Sequence, residues 1–156
     1  MIPSHPSLAK FSYGGTPDIR VIVFNSVPIM AMARIPTKES NGKANLDQGA
    51  IAVGIDMASG VTIHGIYGKK KIIKTFPKSK KKVRGIMIPQ WTQVLETAVR
   101  AANVAGYEYM GADLFIPQSH CCPQVAIHGA LTWHIVITHP PPPTLLCSAP
   151  ISKDSQ

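Results

Sequence analysis

The sequence predicts an α+β domain in which antiparallel β-hairpins pack on one long helix. Three observations carry this. From Asp18 to Phe24, Ile19, Val21 and Val23 fall on one side and Arg20, Ile22 and Phe24 on the other, and a second apolar run, Val27 to Ala33, follows a two-residue polar break. Between Pro89 and Ala105, apolar residues recur at helical spacing. Finally, 156 residues at 45% hydrophobic content are enough for one domain with its own core, and too apolar for a chain disordered throughout.

Met1 to Pro17 reads as loop, broken by Pro3, Pro6, Pro17 and the Gly14-Gly15 pair. The first hairpin turns at Asn25-Ser26. It carries two residues that a plain hairpin does not need, Arg20 and Arg34. An arginine in an otherwise apolar strand must reach water or meet an anion, and its planar fork fits phosphate or carboxylate. The loop from Thr37 to Asn45 is polar and includes Lys38, Gly42 and Lys43. Ala50 to Asp56 and Val61 to Tyr67 form a second expected hairpin around Met57-Ala58-Ser59-Gly60. In the helix, Trp91, Val94, Leu95, Ala98, Ala102 and Ala105 make one apolar stripe, with Pro89 near its start and Gly106 as its C-cap. Tyr109 to Ile116 reads as a strand with Asp113 among apolar neighbours, where a carboxylate is costly unless paired or metal-bound.

The formal charge of +8 is local. Lys69 to Arg84 holds nine basic residues and no acid, so the remainder of the chain carries a net −1. The segment reads as an exposed loop or ragged sheet edge. A nucleic-acid partner is the minor reading, because the segment offers one aromatic and no stacking platform. The three cysteines, Cys121, Cys122 and Cys147, are too few and too clustered for a disulfide framework. Met1 to Lys10 has no signal-peptide pattern, and no run approaches the roughly 18 apolar residues of a membrane span. A cytoplasmic protein without a membrane partner is the expectation.

PDIRVIVFNSVPIMAMARIPT, the loop ending NGKANLDQGAIAVGID, IPQWTQVLETAVRAAN and YMGADLFI occur in the order found in ATP-grasp ligases. From Ser4 to Ile116 the chain resembles their C-terminal half, most closely the alpha-L-glutamate ligase-like branch. The resemblance implies a C-terminal ATP-grasp lobe and an ATP- and magnesium-dependent joining of a carboxylate to an amine through an acyl phosphate. It implies a nucleotide and an amino-acid or peptide substrate as partners. By the family's D-I-R, M-x-R and N-L-x-x-G-A patterns, Arg20, Arg34 and Asn45 would face phosphate or substrate, with Lys38 and Lys43 assisting. Arg20 and Arg34 would act in catalysis, and Asp113 would hold magnesium.

The resemblance stops at Ile116, which divides the chain into a partial ATP-grasp domain, 1–116, and a divergent tail, 117–156, expected to be loosely ordered. The tail holds seven of fourteen prolines, four of six histidines and every cysteine, with no Glu or Asn, so the family's Glu-x-Asn pair is missing. Pro140 to Pro143 is an extended run unable to enter a sheet interior. Leu131 to Thr138 retains strand character. His120, Cys121, Cys122, His128, His134 and His139 fit no standard zinc spacing. The expectation is a truncated or degenerate ligase with little turnover by itself, whose N-terminal lobe is missing. The alternatives are a non-catalytic scaffold remnant and a basic nucleic-acid-binding module.

Overall fold

A computed structural model describes residues 4–68, 71–77, 79, 81–118, 124–128 and 134–137. A short helix α1 (Pro6–Ala9) precedes strands β1 (Asp18–Phe24), β2 (Val27–Ile35), β3 (Ile51–Ile55), β4 (Thr62–Tyr67) and β5 (Lys71–Ile73). Then come helix α2 (Trp91–Ala105) and strands β6 (Tyr109–Phe115), β7 (Gln124–His128) and β8 (His134–Ile137). The strands form one sheet in the order β5-β4-β3-β2-β1-β6-β7-β8, with every neighbouring pair antiparallel. The chain is thus the α+β arrangement expected: hairpins on one long helix. The strands β7 and β8 extend the sheet past Ile116. His120, Cys121, Cys122, His139 and the Pro140–Pro143 run lie outside the described residues.

The first hairpin turns where expected, and its chemistry is visible. Asn25 and Ser26 have φ of 44° and 64°, the two positive values of the tight turn whose twist matches paired strands. A bulge then alters the pairing. Phe24 faces Val27 and Val23 faces Pro28, but Ile22 faces Met30, so Ile29 is an extra residue in β2.

One face of the sheet is core. Ile19, Val21 and Val23 of β1, Ala31 and Ala33 of β2, Val53 of β3 and Ala112 and Leu114 of β6 are almost fully buried there. Helix α2 covers this face with Val94, Ala98, Ala101 and Ala102, and Trp91 and Leu95 pack at its margin. Small alanines at three of these positions let the helix approach the strands closely.

The helix starts at Trp91, because Gln90 is left-handed (φ 54°) and leaves Pro89 outside the first turn. It ends as expected at Gly106, whose φ of 70° lets its N–H reach the carbonyls of Ala102 and Asn103. Trp91 fixes the start by donating its indole N–H to the Met57 carbonyl at 2.9 Å. The turn it meets requires Gly60. The φ there is +68°, and a Cβ would lie 2.5 Å from Trp91 Cγ.

The lysine-rich segment is a ragged edge with an inner side. After β5, the Phe76 N–H bonds the Lys81 carbonyl and the Val83 N–H bonds the Lys74 carbonyl, closing a hairpin. Phe76 and Val83 are buried, and Phe76 stacks on Phe11 with ring centroids 4.4 Å apart. Lys69, Lys70, Lys78 and Lys80 lie outside the described residues. Among the described residues, no helix is long and apolar enough to cross a membrane.

Candidate functional site

The sheet face opposite α2 carries the charges. Side chains two apart on a strand share a face, so Asp18 and Arg20 project together from β1. Across the ladder Asp18 stands opposite Arg34 of β2, and Arg20 stands opposite Asp113 of β6. Both pairs are bidentate. Arg34 Nε donates to Asp18 Oδ1 at 2.7 Å and its Nη2 to Oδ2 at 2.5 Å. Arg20 Nε donates to Asp113 Oδ1 at 2.7 Å and its Nη2 to Oδ2 at 2.8 Å. Arg34 Nη2 also reaches across β1 to Asp113 Oδ2 at 2.8 Å, joining the pairs into one chain of alternating charge.

The network is electrically balanced but unevenly exposed. The side chains of Asp113 and Asp18 are 2% and 5% accessible and that of Arg34 10%, whereas Arg20 remains 29% accessible. Solvent on this face therefore meets guanidinium, and the carboxylates lie beneath it. Burial dominates at Asp18 and raises its pKa from 3.8 to about 6. The hydrogen bond and charge of Arg34 pull the other way, while the Asp113 charge adds to the rise. Burial alone would lower the pKa of Arg34, but its hydrogen bonds to Asp18 and Asp113 and their charges outweigh it and raise it.

Three of the six residues singled out in the sequence thus come together: Arg20, Arg34 and Asp113. Asn45, Lys38 and Lys43 occupy the loop between β2 and β3. The Asn45 side chain caps a short 3-10 turn, Leu46–Gln48, by accepting from the Asp47 N–H at 2.9 Å. The loop is tied by the Thr37 hydroxyl, which donates to the Gly49 carbonyl at 2.8 Å, and by Ser40, whose hydroxyl accepts from the Thr37 N–H at 2.9 Å. Lys38 and Lys43 are exposed on it. Lys38 also lines a cleft of about 320 Å³ shared with Lys10, Phe11, Tyr13, Glu39 and Tyr67. There Glu39 accepts from the Tyr67 hydroxyl and holds its pKa above the ordinary 10.0. The residue that sequence reasoning missed is Asp18. Its D-x-R spacing with Arg20 was a usable signal, because it puts opposite charges on one strand face.

The family model for sugar-transfer associated ATP-grasp proteins matches residues 1–122. The chain belongs to the sugar-transfer associated ATP-grasp family. The matched span contains all six expected site residues and every member of the charged network. It supports the ATP-grasp resemblance without selecting the glutamate-ligase-like branch. No curated protein matches the chain, and no solved structure does.

ATP-grasp proteins use ATP with magnesium, and the donors present decide whether this chain could hold the metal. Asp113 was the expected ligand. In this arrangement both its oxygens accept from guanidinium groups, and a small dication would sit beside two positive charges. Among the described residues, no group of three or more His, Cys, Asp or Glu side chains is placed to hold a metal. The residues as they stand do not fit magnesium.

Proposed function

We propose that this ATP-grasp chain contributes the phosphate-facing sheet of an ATP-dependent carboxylate–amine ligase. The observation that supports the reading is the accessible guanidinium of Arg20 above a buried Asp113, in a chain of this family. A guanidinium held by a carboxylate on one edge keeps N–H donors on the other, and those suit a phosphoryl oxygen.

In such a ligase the substrate carboxylate attacks the terminal phosphorus of ATP, ADP leaves, and an acyl phosphate forms. The amine then attacks the acyl carbon and releases phosphate. Arg20 would bind the transferred phosphoryl group as its oxygens gather charge. Asp113 and Asp18 would act as positioning residues, Asp113 for Arg20 and Asp18 for Arg34. Preorganisation matters here because a donor already aimed needs no reordering when charge develops. An amino-acid acyl donor of the glutamate-ligase kind is the narrower reading, and a partner lobe carrying the adenine-facing segment would complete the site.

The test is ATP binding to the full chain by calorimetry, without and with Arg20→Met. A charge-assisted hydrogen bond contributes about 1.5–3 kcal/mol, so the variant should bind about 10- to 150-fold more weakly. Lys38→Gln, on the exposed loop, should change binding less than about threefold. Equal affinity for Arg20→Met and the parent chain would defeat the proposal.

A further inference from the structure

Between Asp56 and Glu96 the chain carries nine basic residues and no acid. Its described residues from Lys71 to Arg84 form the edge strand β5 and the pairing that follows it, on the border of the sheet farthest from β8. Aliphatic side chains are exposed among these charges. Ile72 is 70% accessible and Met87 69%, while Ile63 and Ile66 are 38% each. Ile66 and Ile72 stand opposite each other across β4 and β5. A hollow of about 410 Å³ lies beside them, with Ile63 and Ile72 among its lining and Lys74, Lys82 and Arg84 around it.

Lysines on an edge strand discourage pairing with another chain, which accounts for the charge. It does not account for bare Ile72 and Met87 beside that charge. Nucleic acid also fits poorly. Base stacking needs an open aromatic, and Phe76 is 3% accessible and stacked on Phe11. Eight of the nine cations are lysines, compact hydrated charges without the arginine fork that reads phosphates and bases bidentately. Lysines flanking exposed aliphatics are the combination that binds an anionic bilayer, where charge attracts the surface and apolar side chains enter the headgroup boundary.

We infer that the β5 hairpin is a peripheral docking surface for an anionic membrane. The chain lies on the bilayer through this edge and does not span it. Ile66 and Ile72 share the sheet face of Arg34, in register through Ala52, and mark its far border; vesicle binding is measured without ATP.

The experiment is co-sedimentation of the full chain with phosphatidylcholine vesicles, with and without phosphatidylglycerol, over rising potassium chloride. Binding should need the anionic lipid and weaken with salt. Lys74→Gln/Lys82→Gln should reduce it about 25-fold, since each basic residue near the surface contributes about a fivefold factor. Ile72→Ser, on an open face, should reduce vesicle binding about tenfold and leave any binding to duplex DNA unchanged. Circular dichroism of both variants checks that each is folded. No sedimentation with phosphatidylglycerol vesicles at low salt would overturn the inference. So would vesicle binding indifferent to Ile72→Ser, which would reduce the surface to a general polyanion binder. Tight duplex binding without vesicle binding would assign it to nucleic acid instead.

Discussion

Replacing Arg34 with methionine removes the residue that links the two halves of the charged network. Methionine retains much of the stem's bulk, so the change tests charge more than packing. Asp18, with its side chain 5% accessible, loses a bidentate partner, and Asp113 keeps Arg20. Orphaning a buried carboxylate in this way costs about 3–5 kcal/mol. The cost must depend on pH, and its sign follows from Asp18. Its folded pKa, about 6, lies above the ordinary 3.8, so folding favours the protonated form. The stabilisation from that proton is fully present below about pH 4 and is lost as pH rises through about 6. The gap amounts to about 3 kcal/mol in the parent chain. Without Arg34, which now pulls the pKa down, the folded value climbs further. At pH 8 the variant then bears the whole cost, whereas at pH 5 Asp18 is protonated in both chains. The difference there should shrink to about 1–2 kcal/mol, the weakening at Asp113. Urea unfolding followed by far-ultraviolet circular dichroism at the two pH values measures this. Asp18→Asn/Arg34→Met should recover at least half of the loss at pH 8, because no charge is then stranded. A cost below about 1 kcal/mol at pH 8, or the same cost at both pH values, would refute the reasoning.

Other consequences are as direct. The Asp18 carboxyl carbon should titrate in nuclear magnetic resonance near pH 6, and a midpoint near 4 would show that burial does not dominate there. Gly60→Ala should destabilise the chain by about 2–4 kcal/mol, since the side chain collides with Trp91 in a left-handed turn; unchanged unfolding would contradict the packing of α2 on that turn. Deleting Ile29 removes the extra residue and leaves a regular ladder with Arg34 still opposite Asp18, so cooperative unfolding should be kept; its loss would show that the bulge does more than set the register.

The sequence by itself determined the main elements and the ATP-grasp family, but not the short helix α1 in a stretch read as loop, nor β5 and β7. A period-2 run marked β1, short apolar runs marked β2 to β4, the apolar stripe marked α2, and Asn25-Ser26 and Gly106 marked where chain direction changes, because local sterics and one-sided burial act over a few residues. Ordered motifs placed Arg20, Arg34 and Asp113 in an ATP-grasp lobe, and the family match over residues 1–122 agrees. The tertiary structure decided what those residues touch. A strict two-residue hairpin would set Asp18 against Ala33 and turn Arg34 toward the core; the extra Ile29 moves the register by one and brings Arg34 opposite Asp18. Nothing in VPIMAMARI announces that bulge, since apolar residues fill both faces of the strand. Asp113 in turn meets Arg20 because β6 returns beside β1 after α2, joining residues 93 positions apart. Partners so distant in sequence are chosen by the packing of helix on sheet, and so the carboxylate expected to hold a metal lies between two arginines.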